Sequence, residues 1–344
     1  MTESPSTVPS RAPADPSSMA YPAAELGVSA YIESQYYESR LASGLEQQDY
    51  LISFSQSAAR RVSDRLGAFI DGYAGGSSGW QALQRLLAAW ADPQTNLGMY
   101  CPTIWFEYDD IGARECRACP SVSICITRSY RADESHSPFE KRDLELCREA
   151  LAVLGADLTA AQGTALPTAF DELPPGARMI YVSYMLGRST PAIKLYGVLR
   201  RDQLLGYLQR IGWAGDQAQI THALGLLYPP ELLGEELYFD LNLDDFRDPA
   251  RCTLGLAVAQ QHLFRGADPD PTRSKILELW TKAGLCTAEK VRRARTWPGS
   301  AASVAIVPFE REYRFLDVKL VWRAGSGFVA KSYLGRQRLR GLFN

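Results

Sequence analysis

The sequence predicts an α+β protein in which repeated antiparallel hairpins form a β-barrel surrounded by helices. Segments of alternating polar and apolar residues come in pairs, and helical segments separate the pairs. Two of these strands carry a lysine and a tyrosine two residues apart, Lys194 with Tyr196 and Lys331 with Tyr333. Because side chains alternate between the faces of a strand, each lysine shares a face with its tyrosine. Closure of the sheet would place this polar face in a lumen and leave no strand edge exposed.

The N-terminal part of the chain is predicted to lie outside the barrel. Residues 1–20 contain four prolines and five serines with few large apolar groups, which predicts a disordered tail. Residues 21–95 are predicted to form a helical extension packed on the barrel, because apolar residues between Tyr50 and Ile70 recur near a 3.6-residue spacing. Residues 96–344 are then the barrel domain.

Strand pairs and helices alternate along the barrel domain. The strand pairs are predicted at residues 103–109 with 121–127, 178–186 with 192–199, 236–243 with 252–260, and 315–323 with 328–334, and a further strand at 303–308. The helices are predicted near residues 138–155, 201–211, 216–227, 273–283 and 287–295. Hairpins that alternate with helices favour an antiparallel sheet whose helices cover one face.

Composition narrows the classes of function. The 344 residues are 46% apolar and 22% charged, as in ordinary globular proteins, and the formal net charge is −2. Without a broad basic field, binding to nucleic acid or to an anionic membrane surface is not indicated. No apolar run approaches the roughly 18 residues of a membrane span, and the N-terminus carries no secretion signal, so we expect a cytoplasmic protein.

The seven cysteines leave two interpretations open. An odd number without secreted context argues against a disulfide framework. Cys116 and Cys119, with Cys101 and Cys125 nearby, could bind a metal, but zinc sites usually combine two close pairs of ligands and only one is present. Burial of Cys125 as a small apolar residue is the alternative, and we assign no metal site.

The order of elements and the two Lys-x-Tyr strands resemble the aromatic prenyltransferases with the α-β-β-α barrel, including dimethylallyl-tryptophan synthases and enzymes that prenylate ribosomal peptides. The resemblance covers roughly residues 100–335 through short motifs rather than long identity. It implies transfer of a prenyl group from an allylic diphosphate to an aromatic acceptor (indole or tryptophan, phenol or peptide) in specialised metabolism. It also implies that the Lys-x-Tyr strands bind the diphosphate, and that Glu107, five residues after Pro102, accepts the proton of the acceptor.

Physical chemistry supports such a reaction in a polar lumen. Converging cations would stabilise a diphosphate as it departs, aromatic walls would stabilise an allylic cation, and a carboxylate could accept the released proton. In an ordinary sheet edge, by contrast, the two lysines would extend to solvent and discourage aggregation. The predicted lumen set is Trp105, Glu107, Lys194, Tyr196, Lys319, Lys331 and Tyr333, and the set facing the helices is Ile104, Phe106, Ile193, Leu195, Val318 and Leu320.

One strand departs from the pattern that the resemblance implies. The related enzymes commonly have an Arg-x-Lys-x-Tyr strand in a middle hairpin, whereas residues 253–259 here carry no charge and Arg251 is the only nearby cation. Binding of the diphosphate then depends on Lys194, Lys319 and Lys331, with Arg178 and Arg314 as further candidates and Trp105 as part of the aromatic wall.

Two other hypotheses remain. The uncharged strand favours a peptide-modifying or substrate-carrier protein of a ribosomal-peptide pathway that uses the same barrel without prenyl transfer. Asp244, Asp245 and Asp248 spell the magnesium-diphosphate motif of terpene synthases, but they lie in a predicted hairpin loop without a partner motif, where turn residues are expected. Prenyl transfer as implied by the resemblance needs no cofactor, and Mg²⁺ belongs to the terpene-synthase alternative. The expected partners are an allylic prenyl diphosphate and an aromatic small molecule or peptide.

Overall fold

A closed antiparallel β-barrel is the centre of the computed structural model of this chain. The structure describes residues 24, 26–44, 48–73, 77–109, 119–127, 141–188, 191–228, 236–258, 271–297, 299–302 and 310–340. The predicted disordered tail of residues 1–20 and the predicted strand at 303–308 lie outside these residues.

Each strand of the barrel pairs antiparallel with its neighbours in the ring. The strands are β1 Ser34–Arg40, β2 Gln48–Ser55, β3 Thr103–Tyr108, β4 Ser121–Cys125, β5 Arg178–Tyr184, β6 Ile193–Arg200, β7 Glu236–Asn242, β8 Thr253–Val258, β9 Gly299–Ala302, β10 Glu310–Arg323 and β11 Gly327–Arg340. The last strand, β11, pairs with both β10 and β1, so ten of the described strands form a closed ring. The short strand β9 pairs with the first part of β10, beyond the region that pairs with β8. The predicted barrel is confirmed.

The prediction of a helical extension is wrong for residues 34–40 and 48–55. These residues form β1 and β2, which complete the barrel by joining β3 to β11. On β2, Tyr50, Ile52 and Phe54 face outward and are fully buried. An apolar residue at every second position also satisfies part of a 3.6-residue pattern over a short segment, so the periodicity alone could not separate strand from helix.

Helices cover the outside of the barrel. They are α1 Ala59–Tyr73, α2 Ser78–Ala91, α3 Asn96–Tyr100, α4 Lys141–Val153, α5 Ala160–Asp171, α6 Leu204–Arg210, α7 Gln217–Leu227, α8 Pro271–Lys282 and α9 Ala288–Thr296. Helix α5 was not predicted; it contains Pro167, and its start is fixed by a capping box between Thr159 and Gln162. No helix in the described part of the chain has the length and apolar character needed to cross a bilayer.

The barrel buries its outer face more completely than its inner face. The outward residues Ile104, Phe106 and Leu195 are all 0% exposed beneath the helices. The lumen lysines retain partial exposure, 18% for the side chain of Lys194 and 14% for that of Lys331. The lumen therefore contains accessible space, and the predicted division into an inner and an outer set is confirmed.

We expect removal of residues 1–55 to prevent formation of a monomeric barrel. Without β1 and β2, strands β3 and β11 would each present an unpaired edge, and unpaired edges promote association between chains. Size-exclusion chromatography and circular dichroism of a 56–344 fragment should show aggregation or loss of cooperative unfolding, while a 21–344 chain should behave like the full protein. A monomeric 56–344 fragment with a cooperative transition would restore the idea of a separate extension.

Candidate functional site

The polar side chains of the lumen converge near one end of the barrel. Strands β1 and β10 end there at Arg40 and Arg323, β3 leads there to Asp109, and the β5–β6 turn contributes Arg188. We call the end defined by these four residues the mouth. The lumen below it carries the lysines of the two Lys-x-Tyr strands, as strand alternation predicts.

The lysine and the tyrosine of the second Lys-x-Tyr strand both bind a carboxylate of the protein itself. Lys331 forms an ion pair with Glu38, and the Tyr333 hydroxyl donates a hydrogen bond to the same carboxylate. Burial by itself would raise the pKa of Glu38, but Lys331 and Lys319 outweigh it and lower the pKa to about 2. Glu38 is therefore ionised at neutral pH and neutralises Lys331.

Lys194 in the first Lys-x-Tyr strand is held more loosely. The Lys194 Nζ lies 3.9 Å from Asp240 Oδ1, whereas the Lys319 Nζ lies 2.6 Å from Asp240 Oδ2. Burial would raise the pKa of Asp240, but Lys319 and Lys194 lower it, so this carboxylate is ionised. Burial lowers the pKa of Lys194, although Asp240 opposes the shift. In this network the three lysines face the carboxylates of Glu38 and Asp240, and Asp49 and Glu107 also act on Lys331, so the charges of the lumen are close to balanced.

An aromatic wall lines the lumen beside the lysines. Tyr36 contacts Trp105 and Phe315, with ring centroids 5.2 and 5.1 Å apart. Trp105 Nε1 donates a hydrogen bond to the Tyr181 hydroxyl at 3.2 Å. Lys319 Nζ lies 5.3 Å from the centroid of the Tyr196 ring, a cation–π contact. Burial raises the pKa of Tyr196 well above its ordinary value, so its hydroxyl stays protonated and can donate a hydrogen bond.

Glu107 lies on the same strand face as Trp105, just below the mouth. Arg188 Nη2 is 3.3 Å from Glu107 Oε1, and the same guanidinium binds both oxygens of Asp109 at 2.9 and 3.0 Å. Burial raises the pKa of Glu107; Lys194 opposes this shift and Glu38 adds to it. The result is a buried carboxylate that is more basic than usual and fixed in orientation by an arginine.

Crowding in the lumen explains why β8 carries no charged side chain. A Cβ atom on Gly255 would lie 1.9 Å from Asp240 Oδ2 and 2.5 Å from the Cε of Lys319. The space that a side chain of β8 would fill is thus taken by the ion pair between Asp240 of β7 and Lys319 of β10. The cation at this level of the lumen comes from a neighbouring strand.

The two further arginine candidates lie away from this cluster. Arg314 lies on the strand face opposite to that of Lys319, with its guanidinium carbon 5.1 Å from the centroid of the Trp297 ring, so the structure does not bring it together with the other predicted site residues. Arg178 faces the lumen opposite Val198, at the end remote from the mouth, where it lowers the pKa of Tyr238 against the larger effect of burial.

The carboxylates were the main residues that sequence reasoning missed. Glu38 lies in a segment that was predicted to be helical, so its strand face could not be assigned. Asp240 had a usable signal, because it is two residues from Tyr238 on a predicted strand, and alternation places both in the lumen. Arg188 lies in a predicted turn, where no rule assigns a direction to the side chain.

The Asp-Asp-x-x-Asp segment stabilises a turn. Asp244 accepts hydrogen bonds from the Ile193 backbone N–H at 3.0 Å and from the Gln162 side chain. Asp245 pairs with Arg251 at 3.0 Å, and Asp248 accepts from the backbone N–H of residue 250 at 2.9 Å. Within the described residues no group of three or more His, Cys, Asp or Glu side chains is arranged to hold a metal ion. Cys101 and Cys125 are buried, and Cys116 lies outside the described residues.

We expect Gly255→Ala to destabilise the protein by about 1–3 kcal/mol, because the new methyl group would displace the Asp240–Lys319 pair. Gly225→Ala on the exposed side of α7 is the matched control; no atom lies within 4 Å of its added Cβ, and alanine favours a helix by up to about 1 kcal/mol. Urea denaturation measures the free energy of unfolding of both variants. Equal stability of the two variants would contradict the proposed crowding at residue 255.

We expect Lys331→Met to lower the free energy of unfolding by about 3–5 kcal/mol, because it leaves the Glu38 carboxylate buried without its cation. The Glu38→Gln/Lys331→Met double variant should recover most of this loss. The folded pKa of about 2 lies below the ordinary 4.5, so the contribution of Glu38 is complete above pH 4.5 and is lost as the pH falls towards 2. Urea denaturation from pH 7 to 2 should show this contribution of Glu38 in the parent protein only. A Lys331→Met variant as stable as the parent would contradict the expected loss.

Comparison with known proteins identifies the fold. No protein-family model and no curated protein matches the chain. Among solved structures it is similar to AnaPT from Neosartorya fischeri, with 11% identity and a TM-score of 0.52 over 87% of this chain and 77% of that one. A second match is the NotF prenyltransferase, with 12% identity and a TM-score of 0.48 over 88% and 80%. The closed ten-strand barrel with surrounding helices is the prenyltransferase-barrel fold, as the resemblance of the sequence implied.

Proposed function

We propose that this protein is a prenyltransferase that moves a prenyl group from an allylic diphosphate to an aromatic acceptor. The observation that carries the proposal is the placement of Glu107, Lys194 and the aromatic wall around one accessible lumen in a prenyltransferase-barrel fold. The acceptor classes that we propose are an indole or tryptophan, a phenol, or an aromatic residue of a peptide.

Among the lumen lysines, Lys194 has the strongest case for contact with the donor. Lys331 and Lys319 are held closely by Glu38 and Asp240, whereas Lys194 lies 3.9 Å from a carboxylate that already binds Lys319. Movement of the Lys194 ammonium towards a phosphate would therefore weaken its attraction to Asp240 only slightly. A charge-assisted contact of this kind strengthens as the C–O bond of the donor breaks and negative charge builds on the diphosphate.

The aromatic wall suits the electron-poor prenyl group. Tyr36, Trp105 and Phe315 pack around one part of the lumen with ring centroids about 5 Å apart. Ring faces attract the positive charge that develops on the allylic carbons. The apolar surface of the same rings disfavours water, which would otherwise capture the cation as an alcohol.

Glu107 is the proposed proton acceptor. As the arene attacks C1 of the prenyl group, the new carbon–carbon bond forms and the diphosphate leaves, and the resulting arenium ion loses a proton to Glu107. Arg188 fixes the orientation of the carboxylate, and burial makes it more basic. We propose that diphosphate binding relies on side chains and that no metal is required.

A second candidate is favoured by the buried carboxylates. Glu38 and Asp240 neutralise lysines that would otherwise attract a diphosphate. The second candidate is a carrier or peptide-modifying protein of a ribosomal-peptide pathway, whose lumen binds an aromatic ligand without prenyl transfer. Such a protein would need no excess of positive charge.

We expect Glu107→Gln to lower turnover by roughly a hundredfold or more, the usual effect of removing a general base, with donor affinity nearly unchanged. Because burial raises the pKa of Glu107, the activity of the parent protein should fall as the pH drops through a value above 4.5, and this step should be absent in the variant. Single-turnover assays with labelled dimethylallyl diphosphate and a panel of indoles and phenols measure the rate, and a titration measures the affinity.

Lys194→Met is the matched variant for that experiment. Removal of a cation that contacts the phosphate should weaken donor binding with a smaller effect on the chemical step. Glu107→Gln protein with parental turnover would remove Glu107 from the mechanism. A parent protein that binds aromatic ligands and consumes no prenyl diphosphate would favour the carrier.

A further inference from the structure

Two carboxylates near the mouth contact the same cation. Glu107 lies on β3, and Asp109 follows the last residue of that strand, so the two side chains are two positions apart on one side of the chain. Their side chains are 10% and 13% exposed, and both contact the guanidinium of Arg188. Buried carboxylates need nearby positive charge, so the way in which this arginine is divided between them affects both.

The guanidinium is divided unequally. Arg188 Nε donates to Asp109 Oδ2 at 2.9 Å and Arg188 Nη2 donates to Asp109 Oδ1 at 3.0 Å, which is a bidentate pair. The contact with Glu107 is a single one, from the same Nη2 to Oε1 at 3.3 Å. Among the residues that the structure describes, none donates a hydrogen bond to Glu107 Oε2. Asp109 thus takes most of the hydrogen bonding that Arg188 offers at the mouth.

The backbone that carries Arg188 is held in place. The N–H of Arg188 donates to the carbonyl of Met185 at 3.2 Å within the β5–β6 turn. A Cβ atom on Gly187 would lie 2.6 Å from the carbonyl oxygen of Cys119, so the turn packs directly on the residues before β4. With the backbone fixed, the side-chain partners of the guanidinium decide how it is oriented.

The loss of Asp109 would change Glu107 in one direction. Burial is the largest effect on Glu107 and raises its pKa, while Arg188 lowers the pKa and Asp109 raises it. Without Asp109, Arg188 could bind Glu107 through two hydrogen bonds, and a neighbouring negative charge would be gone. Both changes favour the ionised carboxylate and make it a weaker base. The charged and titratable groups around Glu107 are Glu38 of β1, Asp49 of β2, Asp109, Arg188, Lys194 and Tyr196 of β6, and Lys331 of β11.

We propose that Asp109 is a positioning residue for proton transfer, which holds the Arg188 guanidinium and so prevents a full ion pair between Arg188 and Glu107. That Glu107 accepts a proton from the acceptor rests on the proposed function. The single contact at Oε1 then fixes the direction of the carboxylate, and Oε2 receives the proton. As the C–H bond of the arenium ion breaks, its electron pair restores the aromatic ring and the proton passes to Glu107.

Asp109→Asn tests the proposal, because it removes the charge of Asp109 and keeps the size of the side chain. Difference infrared spectroscopy follows the carboxyl band of Glu107 as the pH is lowered, and the Glu107→Gln variant identifies this band. The band should appear at lower pH in Asp109→Asn than in the parent, whereas Asp109→Glu, which keeps the charge, should stay closer to the parent. Circular dichroism and thermal unfolding establish that each variant is folded.

Arg188→Gln should shift the titration of Glu107 the other way. This variant removes the contacting cation and leaves the negative charge of Asp109 in place, so the carboxyl band should appear at higher pH than in the parent. A general loosening of the mouth would move both variants in the same direction. Opposite shifts therefore separate the proposed division of the guanidinium from a merely structural role of Asp109.

The pH profile of single-turnover prenyl transfer is the second measurement. In Asp109→Asn the acidic limb should move to lower pH and the plateau rate should fall by about tenfold, because a weaker base accepts the proton less readily. Asp202→Asn is the matched control; Asp202 also pairs with an arginine, Arg200, at 3.1 Å on the exposed surface, and its loss should leave rate and profile unchanged.

The two measurements separate this inference from the proposed function. A Glu107 band that appears at the parental pH or above it in Asp109→Asn would overturn the role of Asp109, even if prenyl transfer is observed. The expected opposite shifts in a protein that consumes no prenyl diphosphate would support the role of Asp109 and refute the proposed function alone.

Discussion

The pairing of β1 with β11 is the constraint on which the rest of the molecule depends. These strands lie about 290 residues apart in sequence, and the register Glu38 to Tyr333 closes the ring. A closed sheet must turn one face inward, and the two faces of each strand are chemically different. The apolar face buries itself beneath the helices, so the polar face can only line the lumen. Closure also removes exposed strand edges, which would otherwise promote association between chains.

Charge compensation follows from that closure. Lysines enclosed in a lumen lose much of their hydration, and the cost is large unless an anion is near. The protein supplies its own anions at two places, Glu38 for Lys331 and Asp240 for Lys319. Gly255 is part of the same solution, because the absence of a side chain on β8 leaves space for the second pair. The lumen is thus a balanced set of charges rather than a uniformly cationic cavity.

This balance shapes any chemistry that the lumen performs. Where lysines are already neutralised, an incoming anion gains little from them, and the cation that is held least tightly becomes more important. Lys194 is in that position, because it lies 3.9 Å from a carboxylate that already binds Lys319. An anion, an apolar chain and an aromatic ring could each find a suitable surface within a short distance. This arrangement connects the fold to the proposed transfer reaction.

Local alternation was enough to predict which side chains share a strand face. It placed Lys194 with Tyr196 and Glu107 with Trp105, and it predicted hairpins that close into a barrel, because these features depend on neighbouring residues alone. It could not assign a face to Arg314, because the predicted strand began at residue 315; β10 begins at residue 310, and five positions separate Arg314 from Lys319, which puts them on opposite faces. The partners of the lysines required the tertiary structure, since Glu38 meets Lys331 only after β1 and β11 pair. Charge balance in a lumen is a property of side chains from distant strands, and no local pattern in the sequence records it.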